Sequence, residues 1–359
     1  GEYMNKRMLI LNMGSTSTKI SVYDGYEKIW VESIVHPRSD IEKYLKYQDQ
    51  YEYRKEKVIK KVAQKGEKLE DFFAFVSRGG TIKPVSGGTY EINQKMIDDS
   101  WCGLYGEHPC NIGAEIAYDL AKEYNVKAYT VDPPACSEIC DEAKISGLPE
   151  IERYESFQML NHRAMARKAC KDKNVNYEDV NLIVVHMGGG ISVAAHRKGK
   201  IIDVNNALAG DGPMAMERSG QLPTGDLIRL CYSGKYTEKE MIRKVNGRGG
   251  VVAYLNTTNA LEIEERIKKG DEYALKIIKA LVYQVSKEIG GISTVLYGKV
   301  DGIVLTGGLA NWSRFVKMLK ERVSHLGEIL LYPGENEMES LAFGVMRCIE
   351  GSEKMKIYG

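Results

Sequence analysis

Residues 8–12 form an apolar run that gives way to a small polar stretch, Gly14-Ser15-Thr16-Ser17-Thr18-Lys19. Alternating apolar and polar positions then resume over 20–23. That pattern predicts a strand, a tight turn and a returning strand. Between 40 and 65 the apolar residues Ile41, Tyr44, Leu45, Val58, Ile59 and Val62 recur at helical spacing among many charges. One or two solvated amphipathic helices with a structural role are expected there. A short buried strand is predicted over 72–76, ending at Ser77-Arg78-Gly79-Gly80. A helix over 112–124 and a strand over 128–131 follow, the latter stopped by Asp132, Pro133 and Pro134.

The opening pattern then returns. The apolar stretch 182–185 leads into His186-Met187-Gly188-Gly189-Gly190, and the chain comes back through Ile191-Ser192-Val193, much as Ile20-Ser21-Val22 follows the first turn. A duplicated half is implied, not a short-period array. The class is α/β. The motifs place a first domain over 1–179, with the closing segment at about 340–359 packing back on it, and a second over 180–339. Another buried strand, 302–305, runs into Thr306-Gly307-Gly308-Leu309, and a helix from Glu337 to about 349 carries Gly344 in its interior. That glycine costs about 1 kcal/mol relative to alanine in a helix, which a close crossing would justify.

Composition narrows the function classes. The chain has 359 residues, 43% hydrophobic, enough for about two cores. Fifty basic residues stand against 49 acidic ones, so nucleic acid and anionic membrane surfaces are not expected partners. The seven cysteines show no C-x-x-C or zinc-like spacing and read as reduced thiols, and residues 1–6 lack a signal-peptide core. A cytoplasmic location is the expectation.

An anionic ligand would therefore be met locally. Lys19 lacks the glycine before it and the hydroxyl residue after it that a P-loop requires. Gly14 permits a tight turn, and the hydroxyls of Ser15, Thr16, Ser17 and Thr18 with the turn's N–H groups can donate to phosphate oxygens. Three glycines between apolar strands at 188–190 suggest close approach of backbone or ligand. Two such turns, one per half, suit a polyphosphate, and Thr306-Gly307-Gly308 suits an adenosine laid flat on backbone.

These turns, in this order and spacing, resemble the two phosphate loops and the adenosine loop of the acetate and sugar kinase, Hsp70 and actin superfamily. NMGSTSTK, VSRGG, GEHPCNIGA, VDPPACSE, HMGGGISVAAHRKGK, DVNNALAGDGPMAMERSGQLP, LTGGLA and YPGENEME together resemble the butyrate kinase branch of the acetokinase family, over residues 12–339. The resemblance implies two duplicated ribonuclease H-like, actin-like ATPase domains with an interdomain nucleotide cleft that closes on substrate. It implies ATP/ADP and Mg2+ as cofactors, a short-chain carboxylate and its acyl phosphate as substrates, and a homodimer or higher homo-oligomer. Residue by residue, Asn12 resembles the asparagine that holds the transferring phosphoryl group, and Arg78 and Arg218 the two active-site arginines. Asp132 resembles an aspartate that serves Mg2+ or orients an arginine. Gly14, Ser15, Thr16, Ser17 and Lys19 match the first phosphate loop, His186, Gly188, Gly189 and Gly190 the second. Gly307 and Gly308 match the adenosine loop, and either Glu337 or Glu339 the late glutamate linked to the metal.

One position departs from the family. Where a Phe-His pair is the rule, this chain has Phe157-Gln158, with His162 one helical turn on. The family's histidine donates to the transferring phosphoryl group. Gln158 donates through an amide without charge, and His162 is the other candidate for that role. An acetate or propionate kinase, or a nucleotide-switched ATPase or sensor without kinase activity, stays open as an alternative on these residues.

Overall fold

The computed structural model describes residues 4–359; residues 1–3, part of the polar start read above, lie outside the described residues. Two compact units emerge. One runs to Ser137 and takes in Asn336–Gly359; the other is Glu138–Glu335. This boundary falls ahead of the motif-based one near Val180, for a packing reason. The helix Met159–Asp172 buries Met165, Ala166, Ala169 and Cys170 against Leu182, Val184 and Val304 of the second unit's sheet.

The first unit holds a six-stranded sheet in the order β3-β2-β1-β4-β6-β5. Its strands are β1 (Arg7–Met13), β2 (Ser17–Asp24), β3 (Glu27–Val35), β4 (Ala74–Ser77), β5 (Thr89–Glu91) and β6 (Lys127–Val131). The second holds a five-stranded sheet in the order β11-β10-β7-β8-β9. Those strands are β7 (Asn181–Met187), β8 (Ile191–Arg197), β9 (Lys200–Val204), β10 (Gly302–Gly307) and β11 (Ile329–Pro333). In each sheet the leading strand pairs antiparallel with its successor and parallel with a much later strand: β1 with β2 and β4, β7 with β8 and β10. The duplication read from the sequence is this shared plan.

Central strands are covered on both faces, so β1 and β7 read as continuous apolar runs; β3, paired on one side only, alternates between half-buried and exposed positions. The first core gathers Leu9, Leu11, Phe75, Ile112, Ile116 and Leu120 between sheet and helices. The second is built on the 24-residue helix Glu272–Val295, which lays Ile278, Leu281, Val285 and Ile289 on its sheet. The helix Glu337–Ile349 crosses β6 closely at Gly344, where a Cβ would stand 2.5 Å from Val131 Cγ2.

The stretch 40–65 came out differently from its periodicity. Only Tyr51–Gln64 is a long helix; Val58 and Val62 are buried, but Leu45 is 96% exposed and Ile59 faces solvent. The residue completing the i, i+4, i+8 stripe is Arg54, fully buried.

Candidate active site

In the first unit three elements bring polar groups together. Asn12, near the end of β1, donates its amide N–H to Glu337 Oε2 at 2.5 Å. Arg78, just past β4, is tied to β1 by its backbone N–H on the Leu11 carbonyl at 3.2 Å, and its Nη1 lies 3.8 Å from Glu337 Oε1. Glu337 opens its helix, where the aligned peptide dipoles favour a carboxylate. Lys19 lies directly across the ladder from Asn12, so the two side chains share one sheet face. Glu339 stands two residues further along the same helix and acts elsewhere: with burial it helps push the Tyr23 hydroxyl up to about 12. Of the two late glutamates, Glu337 is the one joined to Asn12 and Arg78.

Asp132 is buried, with its backbone in the left-handed region at φ 43°, and Oδ1 accepts the Gly88 N–H at 2.7 Å. That bond fixes the position of its side chain. The first turn leaves Ser15 and Thr16 exposed, and Gly14 N–H donates to the Ser17 carbonyl at 2.8 Å. His108 sits inside the GEHPCNIGA motif, beside Arg78. Its Nδ1 accepts the Cys110 N–H at 3.1 Å, and partial desolvation with the nearby Arg78 guanidinium holds its pKa below the usual histidine value.

The second unit arranges its turn differently. Arg218 lies across the glycines: a Cβ on Gly190 would be 1.8 Å from Arg218 Nη1, and one on Gly189 2.8 Å from Glu217 Oε1. The guanidinium is fixed by Nε on Asn246 Oδ1 and Nη1 on the Ala207 carbonyl, both at 3.0 Å. Desolvation lowers its pKa, with Glu217 opposing. His186 Nδ1 is 2.7 Å from Asn161 Nδ2 and its Nε2 3.0 Å from Glu335 Oε1, which with Asn161 as donor puts the ring proton on Nε2. Gly188 N–H closes the turn on the Gly190 carbonyl at 2.9 Å. Gly307, at φ 86°, abuts the backbone of Met187, while Gly308 has open space where a side chain would be.

Gln158 precedes the helix Met159–Asp172, half-buried and with no side-chain cap. His162 stands one helical turn on. It is fully buried, with Nε2 2.7 Å from Ser192 Oγ and Nδ1 3.4 Å from His196 Nε2. Burial puts its pKa well below the ordinary histidine value. A ring so engaged packs β8 against the helix.

Two α/β units on one plan, each with a glycine or hydroxyl turn at the end of its leading strand, define the class of fold. The chain belongs to the acetokinase family, whose model matches residues 148–344. It is 46% identical to Butyrate kinase 2 of Clostridium acetobutylicum over 355 residues, covering 99% of this chain and all of that one. Its fold matches acetate kinase from Porphyromonas gingivalis (TM-score 0.77, 19% identity, 96% of this chain and 99% of that one). A propionate kinase from Francisella tularensis is similar (TM-score 0.75, 18% identity, 95% and 99%).

Proposed function

We propose that this chain transfers the γ-phosphoryl group of ATP reversibly to butyrate or a similar short-chain aliphatic carboxylate, giving acyl phosphate and ADP. The observation that carries the reading is the convergence of Asn12, Arg78 and Glu337, an amide, a guanidinium and a carboxylate from three separate elements. A carboxylate is already anionic at neutral pH, so no general base is required. The obstacle is repulsion between two anions brought into line, and fixed donors around the developing charge reduce it. Arg78 suits the carboxylate or an equatorial phosphoryl oxygen, since its guanidinium offers two parallel donors. Arg218, fixed by Asn246 and Ala207, suits the phosphoryl group that the glycine turn receives. Asn12 and Lys19 would hold phosphoryl oxygens from the first turn, Ser15, Thr16 and Ser17 would add donors, and Gly307 and Gly308 would face the nucleoside.

Among the described residues no group of three or more His, Cys, Asp or Glu is gathered as a metal cage. The donor set suits Mg2+ arriving with the nucleotide, which keeps most of its waters and takes one or two carboxylates. Glu337 is the residue proposed to serve it, and Asp132 to fix the surrounding donors. Bound there, the ion would neutralise β- and γ-phosphate charge. Gln158 is proposed as a neutral amide donor in place of the family's histidine.

A homodimer is part of the same reading. Its support is the helix Thr224–Cys231, which has no buried residue although it carries Leu227, Ile228 and Leu230. Light scattering at micromolar concentration tests it. A cytoplasmic location is proposed on the cysteine spacing alone, which shows no C-x-x-C pair; separately, no helix of the described residues is long and apolar enough to cross a membrane. The activity is tested by trapping acyl phosphate with hydroxylamine across acetate, propionate, butyrate, isobutyrate and valerate. A maximum at four or five carbons supports the reading; absence of product with every acid, while ATP still binds, overturns it.

A further inference from the structure

Arg54 is a fully buried guanidinium whose hydrogen bonds go to carbonyls, an amide and a hydroxyl and not to a carboxylate. A buried cation is costly unless its donors are all used. Here most of them go to one turn. Nη1 donates to the Gly14 carbonyl at 2.7 Å and the Ser17 carbonyl at 3.0 Å, and Nη2 to the Ser15 carbonyl at 3.0 Å. Nε is held by Gln50 Oε1 at 3.0 Å. The remaining carbonyl of the turn, Thr16, accepts the His36 N–H at 2.8 Å. All four carbonyls of the 14–17 turn are thereby engaged.

The peptide plane turns that fact into a statement about donors. In a trans peptide the C=O of one residue and the N–H of the next point in opposite directions, and none of the described peptides is cis. Carbonyls of Gly14 and Ser15 drawn onto Arg54 send the N–H groups of Ser15 and Thr16 the other way. The Thr16 carbonyl is held separately, by His36, so the Ser17 N–H points away from His36. Successive N–H groups presented together form an anion-binding concavity. Ser15 and Thr16 are exposed, so this row faces solvent.

We propose that Arg54 is the positioning residue of the first phosphate turn: by holding the Gly14 and Ser15 carbonyls inward it presents the N–H groups of Ser15 and Thr16 to phosphoryl oxygens. Its fixed charge behind the turn adds attraction for a polyanion. The inference rests on the reading of this turn as phosphate-binding, and the experiment separates the two.

Steady-state constants for MgATP, acyl phosphate and carboxylate would be measured for Arg54→Lys, Arg54→Met, Gln50→Ala and Thr16→Pro, each with a thermal melt. Lysine keeps the charge but loses the fork, so KM for both phosphoryl ligands is expected to rise about tenfold, with carboxylate KM unchanged. Methionine loses both, and a rise of about a hundredfold is expected. Gln50→Ala removes only the Nε acceptor and covers the case in which Arg54→Met fails to fold; a rise of about threefold in the same constants is expected. A rise in phosphoryl KM with Thr16→Pro but in none of the Arg54 and Gln50 variants would show that the turn binds phosphate without Arg54's help, and overturns the proposal alone. Unchanged phosphoryl KM in all four removes the phosphate-turn reading and the proposal with it.

Discussion

The turns that follow β1 and β7 occupy equivalent places in two copies of one plan, yet they are held by opposite means. Residues 14–17 carry three hydroxyl side chains and are held from behind, by Arg54 under their carbonyls. Residues 188–190 are all glycine, and Gly189 and Gly190 are covered from in front, by Glu217 and Arg218 lying where their side chains would otherwise be. The first turn can tolerate a side chain because its arginine sits on the core side. In the second the arginine occupies the side-chain space. Duplication kept the strand, turn and strand, and the arginine's position decided which residues each turn could carry.

Arg218→Ala tests that difference hardest. Removing a donor that acts on developing charge typically costs two to three orders of magnitude, so kcat is expected to fall about a thousandfold. Affinity for ATP, measured by fluorescence titration, should stay within about threefold of the parent. Equal turnover in mutant and parent would remove Arg218 from the chemistry. Gly190→Ala attacks the same arrangement from the backbone side. Its Cβ would overlap Arg218 Nη1 at 1.8 Å, so Arg218 must leave Asn246 and Ala207, and a fall in kcat of about a hundredfold is expected. Gly14→Ala is the control in the first turn. A Cβ there meets Ser17 Oγ at 3.2 Å, an atom that can rotate away, and the Ser17 carbonyl at an ordinary 3.6 Å, and an effect of about threefold or less is expected. Comparable losses from the two alanines would erase the contrast.

Between those extremes lies Glu337→Gln. It keeps the shape and an acceptor for Asn12 but loses the charge that Arg78 faces at 3.8 Å. If Glu337 serves the ion through its water shell, the Mg2+ concentration for half-maximal rate should rise about tenfold. The parallel Glu339→Gln should leave it unchanged; a reversed pattern would exchange the two assignments.

Most of the scaffold was legible because it is periodic. Central strands buried on both faces give continuous apolar runs, and the repeated Ile-Ser-Val return exposed the duplication. Arg78, Glu337 and Asn12 were found through motifs, and the structure brings them together. Three things escaped. Arg54 sits on a core stripe one turn before Val58, but among the charges of that helix nothing in the pattern separates a buried guanidinium from a solvated one. His162 resembled a displaced functional histidine because sequence spacing shows a helical turn and not which face is buried. The boundary near Val180 followed motifs, whereas the helix Met159–Asp172 follows its packing partners on β7 and β10. Each of these misses depends on contacts between residues far apart in the chain.

The smallest expected effect also concerns what lies behind each turn. Behind the first, His36 Nε2 is 2.7 Å from Thr18 Oγ1, and burial, with Arg54 nearby, pushes its pKa down to about 4. Behind the second, Tyr177 O–H can donate to His196 Nδ1, His196 Nε2–H to His162 Nδ1, and His162 Nε2–H to Ser192 Oγ. That relay is satisfied with both rings neutral, and an added proton would set a donor against a donor; both pKa values are held well below the usual value by burial. An unfolded histidine takes its proton near pH 6.5, so below that pH the unfolded state binds more protons and stability falls. For His36 the loss continues to about pH 4 and amounts to about 3 kcal/mol when complete. Thermal melts should therefore show the midpoint constant from pH 8 to 7 and falling from pH 6.5 downward. His36→Phe should flatten part of that slope, and His162→Gln another part. A midpoint that holds level down to pH 4.5 in the parent would mean that these rings accept protons where they lie, and that the space behind both turns is wetter than its packing implies.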